Sequence, residues 1–198
     1  MGSAANVSTK AAGRPGYLTL ICQGPTAATR RAAFPLDEPL EEGATPPAAH
    51  AVHVERAVAA WCSPARAACD SAKVLGLDAT VDARLADCHY GRWSGRRLED
   101  VFATEPDEAQ RWMTDPTAAP HGGESVHAVS ERVRDWLAEC LQMSGGYIAV
   151  THNTVVRVAV LAVLDAPLRS FWHIDMQPFS VIELSSNGRR WALRVGSI

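Results

Sequence analysis

Tyr17-Leu18-Thr19-Leu20-Ile21-Cys22-Gln23-Gly24 is the stretch on which the reading of this chain turns. An apolar run of about five residues, cut off by a polar residue and a glycine, suits a strand buried on both faces of a sheet. Similar runs follow at 58–62, 147–151, 180–184 and 191–195, and helical patterns separate them. A helix is expected over 65–75, because Ser63-Pro64 puts proline where a first turn tolerates it. A longer one is expected over 124–143, where Val126, Val129, Val133, Trp136, Leu137 and Cys140 recur at three- and four-residue intervals. Gly145-Gly146 is expected to end it. A third helix, over 153–164, stops before Pro167. Alternating strands and helices predict an α/β domain, with helices on both faces of a mostly parallel sheet. In such sheets ligands gather at the carboxyl ends of strands, and Gln23, Ser63 and His152 each follow one directly.

A chain of 198 residues fits one domain. A net charge of −3 gives no reason to expect a nucleic-acid partner, and no apolar run reaches the length of a membrane span. Residues 1–16 are small and polar, without the apolar stretch of a signal peptide. They read as a disordered tail ahead of a domain at 17–198, in a cytoplasmic protein. The abundant Ala and Arg residues fit a bacterial gene of high GC content. Five scattered cysteines (Cys22, Cys62, Cys69, Cys88, Cys140) form no C-x-x-C pair, so reduced thiols are expected, not zinc or a disulfide framework. The histidines form no HxH or HxxxH pair with a carboxylate partner, and neither a metal nor another cofactor is expected.

Six segments then follow one another in a recognisable order. They are Cys22-Gln23-Gly24-Pro25-Thr26, Pro39-Leu40-Glu41-Glu42-Gly43, Ser63-Pro64 through Ser71-Ala72, Leu85 through Gly95, Gly122-Gly123-Glu124-Ser125, and Val150-Thr151-His152-Asn153 through Arg157. Together, over residues 17–195, they resemble the landmarks of the histidine phosphatase (phosphoglycerate mutase-like) superfamily. The resemblance implies a three-layer α/β sandwich with a mixed, mostly parallel sheet and a helical lid at about 90–120. It implies a small anionic or phosphorylated ligand, no cofactor, no nucleic acid and no membrane; a homodimer is left open. In that family a neutral histidine attacks phosphorus, two arginines and a second histidine neutralise the oxygens, and a carboxylic acid protonates the leaving group.

Carried over residue by residue, the resemblance places Gln23 at the nucleophile position and Cys22 at that of the first arginine. Ala67 stands at the second arginine position. Arg66 lies one place early, a step of about 100° around a helix. Asp87 stands for the acid, and His152 is unchanged. The implied catalytic positions are therefore His152, Asp87, Gln23 and Cys22. The implied binding positions are Gly24, Thr26, Arg66, His89, Tyr90, Glu124, Ser125 and Asn153. An amide is not a nucleophile, so the expected function is a weak or inactive phosphomonoesterase that retains a pocket for a small anion. Two alternatives stand beside it: an enzyme repurposed to acid–base or Cys22/His152 chemistry in a biosynthetic pathway, and a non-catalytic protein that binds a ligand or partner.

Plainer readings exist for most of these residues. Cys22 also fits a small core residue. His152 also fits a cap on the Thr154 or Val155 amides, and Asp87 a partner of Arg84 or Arg92. His121 is read either as lining the pocket or as solvated, and the arginines of 92–97 either as an anion-holding rim or as a solvated face. His50, His53, His127 and His173 are read as structural.

Overall fold

Alternation along the first strand decides how the layers form. In β1 (Gly16–Cys22), Leu18, Leu20 and Cys22 pack into one apolar cluster while Ile21 packs into another on the opposite face. The computed structural model describes residues 15–48 and 57–195, so most of the predicted tail, His50 and His53 lie outside the described residues. Gly16, assigned to the tail from sequence, already belongs to β1. Five further strands join it: β2 (Ala59–Cys62), β3 (Ala79–Val81), β4 (Gly145–Thr151), β5 (Val181–Ser186) and β6 (Trp191–Arg194). Their order across the sheet is β3-β2-β4-β1-β5-β6, with β3, β2, β4 and β1 mutually parallel, β5 antiparallel to β1 and β6 antiparallel to β5.

Among the described residues six α-helices flank the sheet or extend from it: α1 (Ala27–Arg30), α2 (Arg66–Val74), α3 (Leu98–Thr104), α4 (Pro106–Thr114), α5 (Val126–Cys140) and α6 (Asn153–Val163). The apolar stripes of α5 and α6 bury Val129, Val133, Trp136, Val155 and Val158 against Leu18, Leu20 and Ala149. On the other face α2 supplies Ala68 and Ala72 against Ile21, Ala60, Ile148 and Val150. The result is the expected three-layer sandwich. Helices α3 and α4 carry a third cluster, in which Val101, Ala109 and Trp112 surround Trp93 and Phe34.

Two expectations need correction. Strand β3 was missed because it is three half-exposed or exposed residues at the sheet edge, too short for an apolar pattern to register. Helix α5 begins at Val126, with the Ser125 Oγ capping the Ala128 amide at 3.1 Å, and ends at Cys140. Gly145 and Gly146 do not end it; they open β4, where Gly145 takes a φ of 110° that favours glycine and pairs with Gly16.

Candidate active site

Register brings three strand ends to one place. Cys22 pairs with Thr151 and Cys62 with Val150, so Gln23, Ser63 and His152 leave the sheet side by side. The Gln23 amide donates to the Thr151 carbonyl at 2.7 Å and the Ser63 amide to the Val150 carbonyl at 2.9 Å, which fixes both turns. His152 then enters α6 as its N-terminal flanking residue, yet its ring caps no amide. Instead its Nε2 lies 2.7 Å from Ser63 Oγ, with both residues buried.

The Ser63 hydroxyl also accepts from the Ala65 amide at 3.3 Å. Sealed from solvent, it still needs an acceptor for its own proton, and among the described residues His152 Nε2 is its one partner for that. That places the imidazole proton on Nδ1, which faces Asp87 Oδ2 at 3.7 Å, beyond direct hydrogen-bond range. Burial holds the His152 pKa below the ordinary histidine value; Asp87 opposes that shift and Arg132 adds to it. At neutral pH the ring is therefore an uncharged imidazole.

Asp87 is presented by a loop that Arg132 holds from behind. The guanidinium donates to the carbonyls of Arg84 (2.7 Å) and Asp87 (3.1 Å) and forks onto Glu124 at 2.8 and 3.0 Å. Glu124 is thus committed to Arg132, not aimed at a ligand, while its amide donates to the His89 carbonyl at 2.7 Å. Thr151 Oγ1 secures the Leu85 carbonyl at 2.6 Å, and Asp87 Oδ1 accepts from the Cys88 amide at 2.8 Å. Gly123 passes so close to this loop that a Cβ would sit 1.8 Å from the His89 carbonyl oxygen.

A cleft of about 300 Å³ opens over these groups. Its polar lining is Gln23, Asp37, Glu38, Asp87, His89, Tyr90, Ser94 and His152; Ala65 and Ala67 form part of its wall. Among the described residues no lysine or arginine lines it. Asp37 accepts from the Arg66 amide at 2.8 Å, at the start of α2, where a helix terminus favours a carboxylate. Gln23 lines the cleft, and its Oε1 is buried with no hydrogen-bond partner among the described residues.

Several residues expected to bind ligand do other work. The Arg66 side chain is exposed and does not line the cleft. Thr26 is buried as the cap of α1, in a reciprocal box with Thr29. The Gly24 amide donates to Ser71 Oγ at 2.8 Å, and a Cβ there would meet the Phe179 ring at 2.4 Å. Ser125 caps α5, and the exposed Asn153 stands outside the lining. Tyr90 donates or accepts at Thr154 Oγ1 (3.0 Å) while its ring packs on Phe34.

Cys22 points into the core with Leu18 and Leu20, absent from the cleft lining, and burial pushes its thiol up to about 12. The exposure that a Cys22/His152 pair requires is missing. His121 is buried behind the cleft, its Nδ1 accepting from the Gly123 amide at 3.0 Å. Arg84 pairs with Asp82 and Glu139, while Arg92 and Arg96 converge on Glu105, so the 92–97 arginines are not a free rim. Arg132 was not singled out from sequence, and Ser63 was placed at a strand end without a role; the structure puts both among the groups that hold the site. For Arg132 the sequence signal was only a spacing of eight residues from Glu124, which lies just ahead of α5.

Residues 20–197 match the family profile described as histidine phosphatase superfamily (branch 1). The chain belongs to that superfamily. Among its relatives, a glucosyl-3-phosphoglycerate phosphatase from Mycobacterium tuberculosis is 32% identical over 123 residues, 55% of each chain. Phosphoserine phosphatase 1 from Hydrogenobacter thermophilus is 29% identical over 122 residues, 59% of this chain and 58% of that protein. The match spans only 34% of a bifunctional protein of M. tuberculosis. In structure, mycobacterial glucosyl-3-phosphoglycerate phosphatase in complex with VO3 aligns with a TM-score of 0.77 at 27% identity, covering 90% of this chain and 97% of that one. Mycobacterial hydrolase 1 aligns with a TM-score of 0.78 at 26% identity, covering 92% and 98%.

Among the described residues no three His, Cys, Asp or Glu side chains converge to hold a metal ion, and no helix is long and apolar enough to cross a membrane.

Proposed function

We propose that this superfamily member forms no phosphohistidine, is weak or inactive as a phosphomonoesterase, and uses its cleft to bind a small molecule. The reading rests on the resemblance, which sets Gln23 at the nucleophile position, and is supported by one observation: among the described residues the charged lining of the cleft is three carboxylates, with no arginine or lysine. An amide nitrogen has its lone pair delocalised into the carbonyl and cannot take up a phosphoryl group. Two like charges about 5 Å apart repel by roughly 3 kcal/mol at an effective dielectric of 20. Asp37, Glu38 and Asp87 therefore oppose a free phosphate where relatives named as phosphatases would accept one. The end of the ligand that enters is better neutral or cationic than dianionic.

A second reading, proton transfer by His152, is favoured by the 2.7 Å bond that fixes its ring and by Asp87 at 3.7 Å from Nδ1. An uncharged imidazole can accept a proton at neutral pH, and a carboxylate beside it stabilises the resulting cation. Phosphate release from a broad panel of phosphomonoesters, with His152→Ala as control, tests the main reading. No release by the wild type is the expected result. Turnover that vanishes in His152→Ala would overturn it, because the old site would then be working without its nucleophile.

A further inference from the structure

Cys62 closes β2 and Cys69 is the fourth residue of α2, and the fold brings their sulfurs to 3.7 Å. Scattered positions in sequence gave no sign of this pairing. Cys62 is buried, whereas Cys69 is partly exposed, so an oxidant in solution reaches one thiol of the two. A disulfide requires the sulfurs to come about 1.7 Å closer, to near 2.05 Å. Side-chain rotation and a small movement of α2 against β2 are the motions that would supply it.

The pair adjoins the candidate site. Ser63 follows Cys62 directly, its carbonyl accepts from the Cys69 thiol at 3.3 Å, and its hydroxyl holds His152. Helix α2, which carries Cys69, also contributes Ala67 to the cleft wall and Ser71 to the Gly24 amide. We infer that Cys62 and Cys69 form a redox pair that closes to an intrachain disulfide and thereby moves the Ser63–His152 contact. A hydroperoxide is the oxidant class that fits a single accessible sulfur. The Cys69 thiolate attacks the O–O bond, giving a sulfenic acid and releasing alkoxide or hydroxide, which takes up the displaced proton. Cys62 sulfur then attacks the sulfenic sulfur, the S–S bond forms, and the hydroxyl leaves as water with the Cys62 proton. Two thiols are oxidised by two electrons and the peroxide is reduced to an alcohol or water. Burial pushes the Cys62 thiol up to about 12, which suits a resolving partner and not the first group attacked.

The test uses the intact protein treated with hydrogen peroxide, alkylated with iodoacetamide and cut with trypsin. Cleavage after Arg66 separates residues 57–66 from 67–73, so only a Cys62–Cys69 bond joins these two peptides. The joined species is expected after peroxide, lost on adding dithiothreitol, and absent from Cys69→Ser. Failure to detect it in the wild type, with Cys69 carried on to sulfinic acid, overturns the pair. The coupling is read separately from the His152 ring resonances, assigned by their loss in His152→Gln. They should shift on oxidation of the wild type and stay in place in peroxide-treated Cys69→Ser. A disulfide that leaves them unmoved, or an equal shift in Cys69→Ser, overturns the link to the site.

Discussion

Replacing Ser63 by alanine removes one hydroxyl and tests how the histidine is held. In the wild type that hydroxyl lies 2.7 Å from His152 Nε2 and accepts from the Ala65 amide at 3.3 Å. Neither Ser63 nor His152 has appreciable contact with solvent. Water cannot simply take over, so Nε2 is left as a buried acceptor without a donor, which costs about 1–3 kcal/mol. The lost volume is a single oxygen, so the cavity contribution is small beside this. The expected loss is about 2 kcal/mol, equivalent to a fall in Tm of roughly 4–8 °C for a domain of this size. Urea unfolding followed by tryptophan fluorescence measures it, with Ser94→Ala, a cleft residue without a comparable buried bond, as the control. Ser94→Ala should stay within about 0.5 kcal/mol of wild type. The ring 15N shifts of wild-type His152 should report the proton on Nδ1. A Ser63→Ala protein as stable as Ser94→Ala, or a ring protonated on Nε2, would refute the assignment of Ser63 as donor.

Three further outcomes are expected. A double-mutant cycle on Arg132→Met and Glu124→Gln should give a coupling of about 1–2 kcal/mol, since the forked pair is only partly exposed; additive losses would show that the fork is not what holds the Asp87 loop. Because burial depresses the folded-state pKa of His152, the folded protein binds fewer protons than the unfolded chain between that pKa and about 6.5. Stability should therefore fall as pH drops through that window, and the slope should flatten in His152→Gln; an unchanged slope in unfolding curves at pH 7.5 and 5.5 would count against it. Gln23→His alone should not bring phosphomonoester turnover, because with Cys22 and Ala67 in place no arginine among the described residues lines the cleft; a single revertant with robust phosphate release would show the cleft to be intact apart from its nucleophile.

The layers were legible in the sequence because they rest on local pattern. Five apolar runs and three periodic helices reported which faces are buried, and their alternation reported the architecture. Strand β3 escaped because its pairing to β2 is tertiary and its residues carry no burial signal. Strand ends also placed Gln23, Ser63 and His152 together, since the carboxyl edge of a parallel sheet is set by topology. What each side chain does there was less accessible. Glu124 looks like a ligand-facing carboxylate until Arg132 is seen to fork onto it, and Thr26 like a phosphate donor until it proves to cap α1. Such assignments depend on how the chain turns between residues only three to eight positions apart, which periodicity does not encode. The same holds for Cys62 and Cys69, seven positions apart and in sulfur contact.

The most direct measurement is a search for the covalent intermediate itself. The wild-type protein would be incubated with a 32P-labelled phosphomonoester, quenched in alkali, and examined for label that survives base and is lost in acid, the behaviour of phosphohistidine. No labelled protein is the predicted result, because Gln23 cannot accept the group and His152 is buried with its Nε2 already bonded to Ser63. Stoichiometric base-stable label, on His152 or any other histidine, would contradict the claim that this chain has left phosphohistidine chemistry behind.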